Sequence, residues 1–320
     1  MKLSQLHPEL RSAYRFVPNP AVRSAAGRKL FRVLLNKKAP APPPGLCLET
    51  LRPGGDAPPL HVVGAQTGGS GAAVLWLHGG GMMIGSATEE FPLAFRLAQR
   101  YKLTVVLAGY RLAPEHPLPA QIDDAAAAWA WLLLNAERRG IDPARIAVGG
   151  QSAGGGIAAM LVQSLADERG RQPAAQWLFC PMLDDRTAAD RSLDPIRHRL
   201  WNNRSNRAGW KALLGVEPGA AKVPAGAVPA RRENLAGLPP TWIGTGTVDL
   251  FHAEDVAYAR RLSAAGVDVT LDEVEGAPHI FETFAPDTRL ARSYTTRADT
   301  WLVECLGRPA PSSKTSKPAQ

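Results

Sequence analysis

One short segment restricts the architecture more than any other. Ile146-Ala147-Val148 is an apolar run of strand type, Gly149 to Gly155 sets glycines on both sides of a single serine, and an apolar stretch of helical type runs on from Ala153 to Glu168. A strand that turns into a helix within so few residues pushes the hydroxyl of Ser152 out of the sheet. Its neighbours must be small, because a larger side chain would strike the adjoining strand and helix. The start of the helix also brings free N–H groups and the positive end of its dipole beside that hydroxyl. The pattern Gly150-Gln151-Ser152-Ala153-Gly154 alone also fits an ordinary glycine-rich turn. The strand before it and the helix after it favour a nucleophile.

Apolar runs of strand length and longer helical stretches alternate along the rest of the chain. Strands are expected at Leu60 to Val63, Ala72 to Leu77, Leu103 to Leu107, Ile146 to Gly149, Trp177 to Phe179, Thr241 to Thr245 and Val267 to Val274. Helices are expected at Glu89 to Tyr101, Ile122 to Ala136, Ala153 to Glu168 and Thr288 to Leu306. This rhythm predicts the α/β class, with a mainly parallel central sheet covered by helices on both faces. A length of 320 residues with 45% hydrophobic content suits one large domain with insertions.

Several classes of function are disfavoured. Cys47, Cys180 and Cys305 are scattered and odd in number, so neither a disulfide framework nor a metal-ligand spacing emerges. No metal and no cofactor are expected, and a reducing, cytoplasmic setting is the simplest reading. The N-terminus lacks the apolar core of a signal peptide, and no apolar run is long enough for a membrane span. A formal charge of +8 attracts anionic partners in principle, but no nucleic-acid motif accompanies it. Its basic excess lies near Arg23 to Lys38 and between Arg197 and Arg232.

A serine nucleophile needs an oxyanion hole, a base and an orienting acid. His78-Gly79-Gly80-Gly81 follows directly on the strand that ends at Leu77. Its glycines let the backbone amides of Gly79 and Gly80 approach a developing oxyanion, together with the amide of Ala153. His78 then props the loop. A phosphate loop would want a Walker lysine or a dinucleotide pattern, and neither is present. Of the seven histidines, His279 follows the last expected strand, in Gly276-Ala277-Pro278-His279-Ile280-Phe281. With a strand–turn–helix serine, the partners come in the order acid, then histidine. Asp249, just beyond the strand Thr241 to Thr245, fits the acid; Asp184 and Asp255 are the fallbacks.

His78 to Gly81, Tyr110 to Ala120 (YRLAPEHPLPA) and Gly149 to Gly155 (GGQSAGG) together resemble the hormone-sensitive-lipase-like branch of the α/β hydrolases. Asp249-Leu250-Phe251 and His279-Ile280-Phe281 are similar to that branch's stretches around the acid and the base. The resemblance covers about Gly71 to Leu306. It implies the α/β-hydrolase fold, a triad of Ser152, Asp249 and His279, an oxyanion hole of Gly79, Gly80 and Ala153, and a helical cap. It also implies hydrolysis of small carboxylic esters of short to medium acyl length through an acyl-enzyme. A lactone, carbamate or amide hydrolase with the same triad is the alternative. Non-catalytic receptors on this fold lack the catalytic histidine, which is present here. The chain departs from the pattern at Gln151, where an acidic residue is usual, at Leu250 and at His252-Ala253. Arg111, Glu115 and Asp123 are read as loop architecture.

The organisation expected is a cap segment at 1–45, a catalytic domain at 46–307 with a cap insertion at about 185–238, and a disordered tail at 308–320. The apolar helical face of Leu30, Phe31, Val33, Leu34 and Leu35, with Trp201 and Trp210, is expected to roof Ser152. The strand Val267 to Val274, at the sheet edge, is a candidate homodimer contact.

Overall fold

The computed structural model describes residues 1–17, 19–52 and 57–307; the expected tail at 308–320 lies outside the described residues. Eight strands form one sheet: β1 (Leu46–Leu51), β2 (Leu60–Ala65), β3 (Ala73–Leu77), β4 (Thr104–Ala108), β5 (Ile146–Gln151), β6 (Ala175–Phe179), β7 (Thr241–Gly246) and β8 (Val269–Val274). Their spatial order is β1-β2-β4-β3-β5-β6-β7-β8. Strand β2 runs antiparallel to both β1 and β4, and the remaining pairs are parallel. The inner strands β3, β5, β6 and β7 are buried at every position. That explains their nearly unbroken apolar sequence, since helices cover both faces of a parallel sheet.

Around the sheet lie α1 (Ala25–Leu35), α2 (Phe91–Tyr101), α3 (Ala120–Asn135), α4 (Ala153–Asp167), α5 (Asp185–Ala189), α6 (Asn203–Leu214), α7 (His252–Ala264), α8 (Phe281–Phe284) and α9 (Arg289–Gly307). On one face, Trp76, Trp177, Phe179, Trp242 and Tyr294 form a chain of tilted and edge-on rings against α9. Each such buried ring contributes about 1.5–3 kcal/mol of transfer free energy. The other face packs α3, α4 and α7 through alanines and aliphatic residues, with Trp129 of α3 and Tyr258 of α7 among them. No helix among the described residues is long and apolar enough to cross a membrane.

The expected elements differ mainly by shifts at their ends, but β1, α6 and α7 are additional to them. Strand β8 starts at Val269 because the Val267 amide closes the end of α7 by donating to the Leu262 carbonyl at 3.1 Å. It does lie at the sheet edge. The N-terminal segment departs further from expectation. Leu6, Leu10 and Tyr14 are fully buried and join the ring-lined core. The apolar face of α1 is divided: Phe31 and Leu35 turn inward, while Leu30, Val33 and Leu34 face solvent. Trp201 reaches the cavity described below, but Trp210 is enclosed in the core and does not line it.

Candidate active site

Ser152 sits at the C-terminal end of β5, in the middle of the sheet, immediately before α4. Its backbone has φ 57° and ψ −119°, a strained conformation for a residue with a Cβ. Hydrogen bonds hold it there: the Ser152 amide donates to the Phe179 carbonyl at 2.8 Å, and its carbonyl accepts from Met182 at 2.9 Å and Gly156 at 3.1 Å. Close packing explains the flanking glycine at 154. A Cβ there would come within 2.1 Å of the Leu77 carbonyl oxygen.

Asp249 follows β7 and His279 follows β8, so both reach the same edge of the sheet as Ser152. His279 Nε2 lies 2.9 Å from Ser152 Oγ, and His279 Nδ1 lies 2.8 Å from Asp249 Oδ2. All three residues are buried. The second oxygen of Asp249 accepts from the Phe251 amide at 3.0 Å, and the Phe251 ring meets the imidazole edge-on at 5.3 Å. The fallback acids go elsewhere. Asp184 caps α5 and pairs with Arg186. Asp255 is buried within α7, and burial holds its carboxyl well above the usual range.

Gly79 and Gly80 leave β3 beside this group, and Ala153 is the first residue of α4. Gly80 has φ +117°, and a Cβ on it would lie 2.0 Å from the Ile84 carbonyl oxygen, so glycine is required by the turn and by the contact. His78 stacks on Tyr110 at 4.1 Å, and its Nδ1 lies 2.7 Å from the Gly79 carbonyl. Burial lowers its pKa to about 4, which leaves a neutral ring that serves as a prop. Arg111 is bonded to Asp124 and Glu115 to Arg32, so these charges brace loops and the junction with α1.

A cavity of about 400 Å³ opens on Ser152 and His279. Val17, Pro20, Phe31 and Leu35 from the N-terminal segment, and Leu200 and Trp201 from the insertion, form apolar walls. Trp201 lies against the glycine loop, where a Cβ on Gly81 would strike its indole. At one side Glu89 and Glu90 line the cavity. Burial raises Glu89 to about 7 and Glu90 to about 8, and the Glu90 shift is opposed by hydrogen bonds from the Trp76 indole and the Gly79 amide. The Cys180 thiol lies within 4.8 Å of Asp249 and His279; no other trio of this kind occurs among the described residues. Burial raises its pKa further, so it is a neutral thiol.

Two features have no short-range sequence signal. The Tyr14 hydroxyl donates to the backbone carbonyl of His279 at 2.7 Å, from 265 residues away. It braces a turn whose next residue, Ile280, has φ 48°, a rare conformation for a β-branched side chain. Gln151 donates through Nε2 to Glu282 at 2.7 Å and to Thr283 at 3.0 Å, which ties the serine turn to the histidine loop. Burial raises Glu282 to about 7. The departure at Gln151 had marked that position as unusual, but not its partner.

The comparisons agree with this architecture. The alpha/beta hydrolase fold family matches over residues 74–283. The chain is 38% identical over 218 residues to carboxylesterase NlhH of Mycobacterium tuberculosis, covering 66% of this chain and 67% of that protein. Bacterial heroin esterase superposes with a TM-score of 0.85 at 33% identity, covering 96% of this chain and all of that one. An esterase of the bacterial hormone-sensitive lipase family superposes with a TM-score of 0.76 at 29% identity over 94% of this chain and 99% of its own. With its fold, strand order and matched span, the chain belongs to the alpha/beta hydrolase fold family, in the hormone-sensitive-lipase-like branch.

Proposed function

We propose that the chain is a serine carboxylic-ester hydrolase with Ser152 as nucleophile, His279 as general base and acid, and Asp249 as the carboxylate that orients the ring. The observation that carries this reading is the continuous contact Ser152 Oγ–His279 Nε2 and His279 Nδ1–Asp249 Oδ2, at 2.9 and 2.8 Å, at the wall of an apolar cavity. His279 takes the hydroxyl proton as Ser152 Oγ attacks the ester carbonyl carbon. The carbonyl π electrons move onto oxygen, towards the amides of Gly80 and Ala153; the Gly79 amide, expected to join them, is turned to the Glu90 carboxyl instead. Collapse breaks the bond to the alcohol oxygen, which leaves with the proton from His279. Water then repeats the sequence on the acyl-enzyme and frees the acid. Asp249 stays ionised and stabilises the imidazolium.

The segment at 1–45 and the insertion at about 185–238 act as the cap in this reading, because both supply walls of the cavity. A part-open, apolar-walled cavity of about 400 Å³ suits short to medium acyl esters. The names of the relatives, a carboxylesterase and two esterases, favour esters over lactones or amides. The edge strand β8 is a contact for a homodimer, to be checked by sedimentation. The test of the main reading is labelling with a fluorophosphonate, followed by rates across p-nitrophenyl esters from acetyl to palmitoyl. The expected outcome is one label on Ser152, with hydrolysis best at the short end. Absence of label at Ser152 in a folded, active protein would refute it.

A further inference from the structure

We propose that α1 and the chain around it form a docking element for an anionic lipid bilayer, which brings the substrate cavity to the membrane surface. Residues 10–48 contain eight Lys or Arg and no Asp or Glu. The second basic run, 197–232, has as many basic residues, but carboxylates pair with Arg207, Lys211, Arg231 and Arg232. In the N-terminal run only Arg32 makes an ion pair among the described residues. Of these two runs, the N-terminal one therefore keeps more of its cations out of ion pairs among the described residues, seven of eight against four of eight.

The same segment displays apolar side chains to solvent. Leu30 is 57% exposed, Val33 70% and Leu34 56%, and they adjoin one another on α1 at the i, i+3, i+4 spacing. Phe16, just upstream, is 85% exposed. Lys29 precedes this face and Lys37 and Lys38 follow it, where their stems can lie along apolar surface with the ammonium groups at lipid phosphates. A helix of 11 residues, roughly 16 Å long, is too short to cross a bilayer and can only lie along it.

A second copy of the chain would bring like charge against like. Nucleic acid would gain nothing from three exposed aliphatic side chains. An anionic bilayer satisfies both features, with phosphates for the cations and acyl chains for the aliphatic face. Phe31 and Leu35, on the inner side of the same helix, wall the cavity that holds Ser152. Docking through the outer face therefore sets that cavity beside the lipid phase, where hydrophobic esters concentrate.

The test is flotation with vesicles of phosphatidylcholine alone and of an equal mixture with phosphatidylglycerol. Binding is expected to the mixed vesicles, weakening as salt rises, and to be much weaker with phosphatidylcholine alone. The combined variant Leu30→Ser, Val33→Ser, Leu34→Ser should bind roughly tenfold more weakly, and so should Lys29→Gln with Lys38→Gln. Both should hydrolyse soluble p-nitrophenyl acetate at the parent rate. The lysine pair is exposed and keeps the test sound if the serine variant unfolds. Ser152→Ala should bind vesicles like the parent, so loss of the catalytic reading and loss of the docking reading are separately visible. Equal binding to both vesicles, no binding to either, or unchanged binding by the lysine variant would overturn the proposal. So would serine substitutions that abolish self-association and leave vesicle binding intact.

Discussion

Replacing Tyr14 by Phe removes one oxygen from the protein. That oxygen donates to the buried carbonyl of His279 at 2.7 Å, and the Tyr14 side chain is otherwise enclosed in the core. The carbonyl would be left without this donor in a place water does not readily reach, which costs about 1–3 kcal/mol. Not all of this need appear as lost stability. Ile280, the next residue, is held at φ 48°, so the turn has an obvious way to relax. Relaxation would carry the imidazole away from Ser152 Oγ, now 2.9 Å away. A displacement near 1 Å is worth about a hundredfold in rate; a partial one should cost about tenfold. The expected outcome is a fall in kcat on p-nitrophenyl butyrate of about tenfold, with KM within about twofold. Burial drives the Tyr14 pKa further up, so the phenol stays a neutral donor and its loss should leave the pH midpoints unmoved. Tyr14→Leu should in addition lose the ring contact with Phe284, 5.8 Å away, and so disturb KM. Full kcat and full urea stability in Tyr14→Phe would refute the claim that the N-terminal segment positions the histidine.

Other outcomes follow from the same structure. Ser152→Ala should lose about 10⁴-fold or more of the ester hydrolysis while melting normally, and Asp249→Asn should be severe where Asp184→Asn is mild. A carboxyl at 282 raised from 4.5 to about 7 holds its proton longer folded than unfolded, so stability should decline as pH climbs between those values. Glu282→Gln, whose amide oxygen can still accept from Gln151, should flatten that decline in melts at pH values either side of the window; an unaltered slope would count against it. Gln151→Glu would set a second carboxyl against Glu282, and the two cannot readily ionise together. Its melting temperature should fall most at alkaline pH. Deleting residues 1–38 strips Leu6, Leu10 and Tyr14 from the core, each worth about 1.5–3 kcal/mol, so circular dichroism should report a damaged fold as well as lost hydrolysis.

What the sequence by itself determined were the features imposed on a few consecutive residues. A serine at positive φ between a strand and a helix needs Gly154 against Leu77, and a loop turned at φ +117° needs Gly80. The buried parallel strands need largely apolar runs, and the polar Gln176 and Thr241 within them bond each other. Chain order then pointed to Asp249 and His279, because residues at the ends of parallel strands share one edge of the sheet. Tertiary structure alone decided the rest. Helical periodicity shows that Leu30 to Leu35 is apolar, but which part faces the cavity depends on where α1 docks. Trp201 and Trp210 look alike in sequence; packing buries both in the core and brings only Trp201 to the cavity wall. The bond from Tyr14 to His279 and the pairing of Gln151 with Glu282 join positions 265 and 131 residues apart. No local pattern records such contacts, because they arise only when separate elements, each with its own local reasons to form, are pressed into one core.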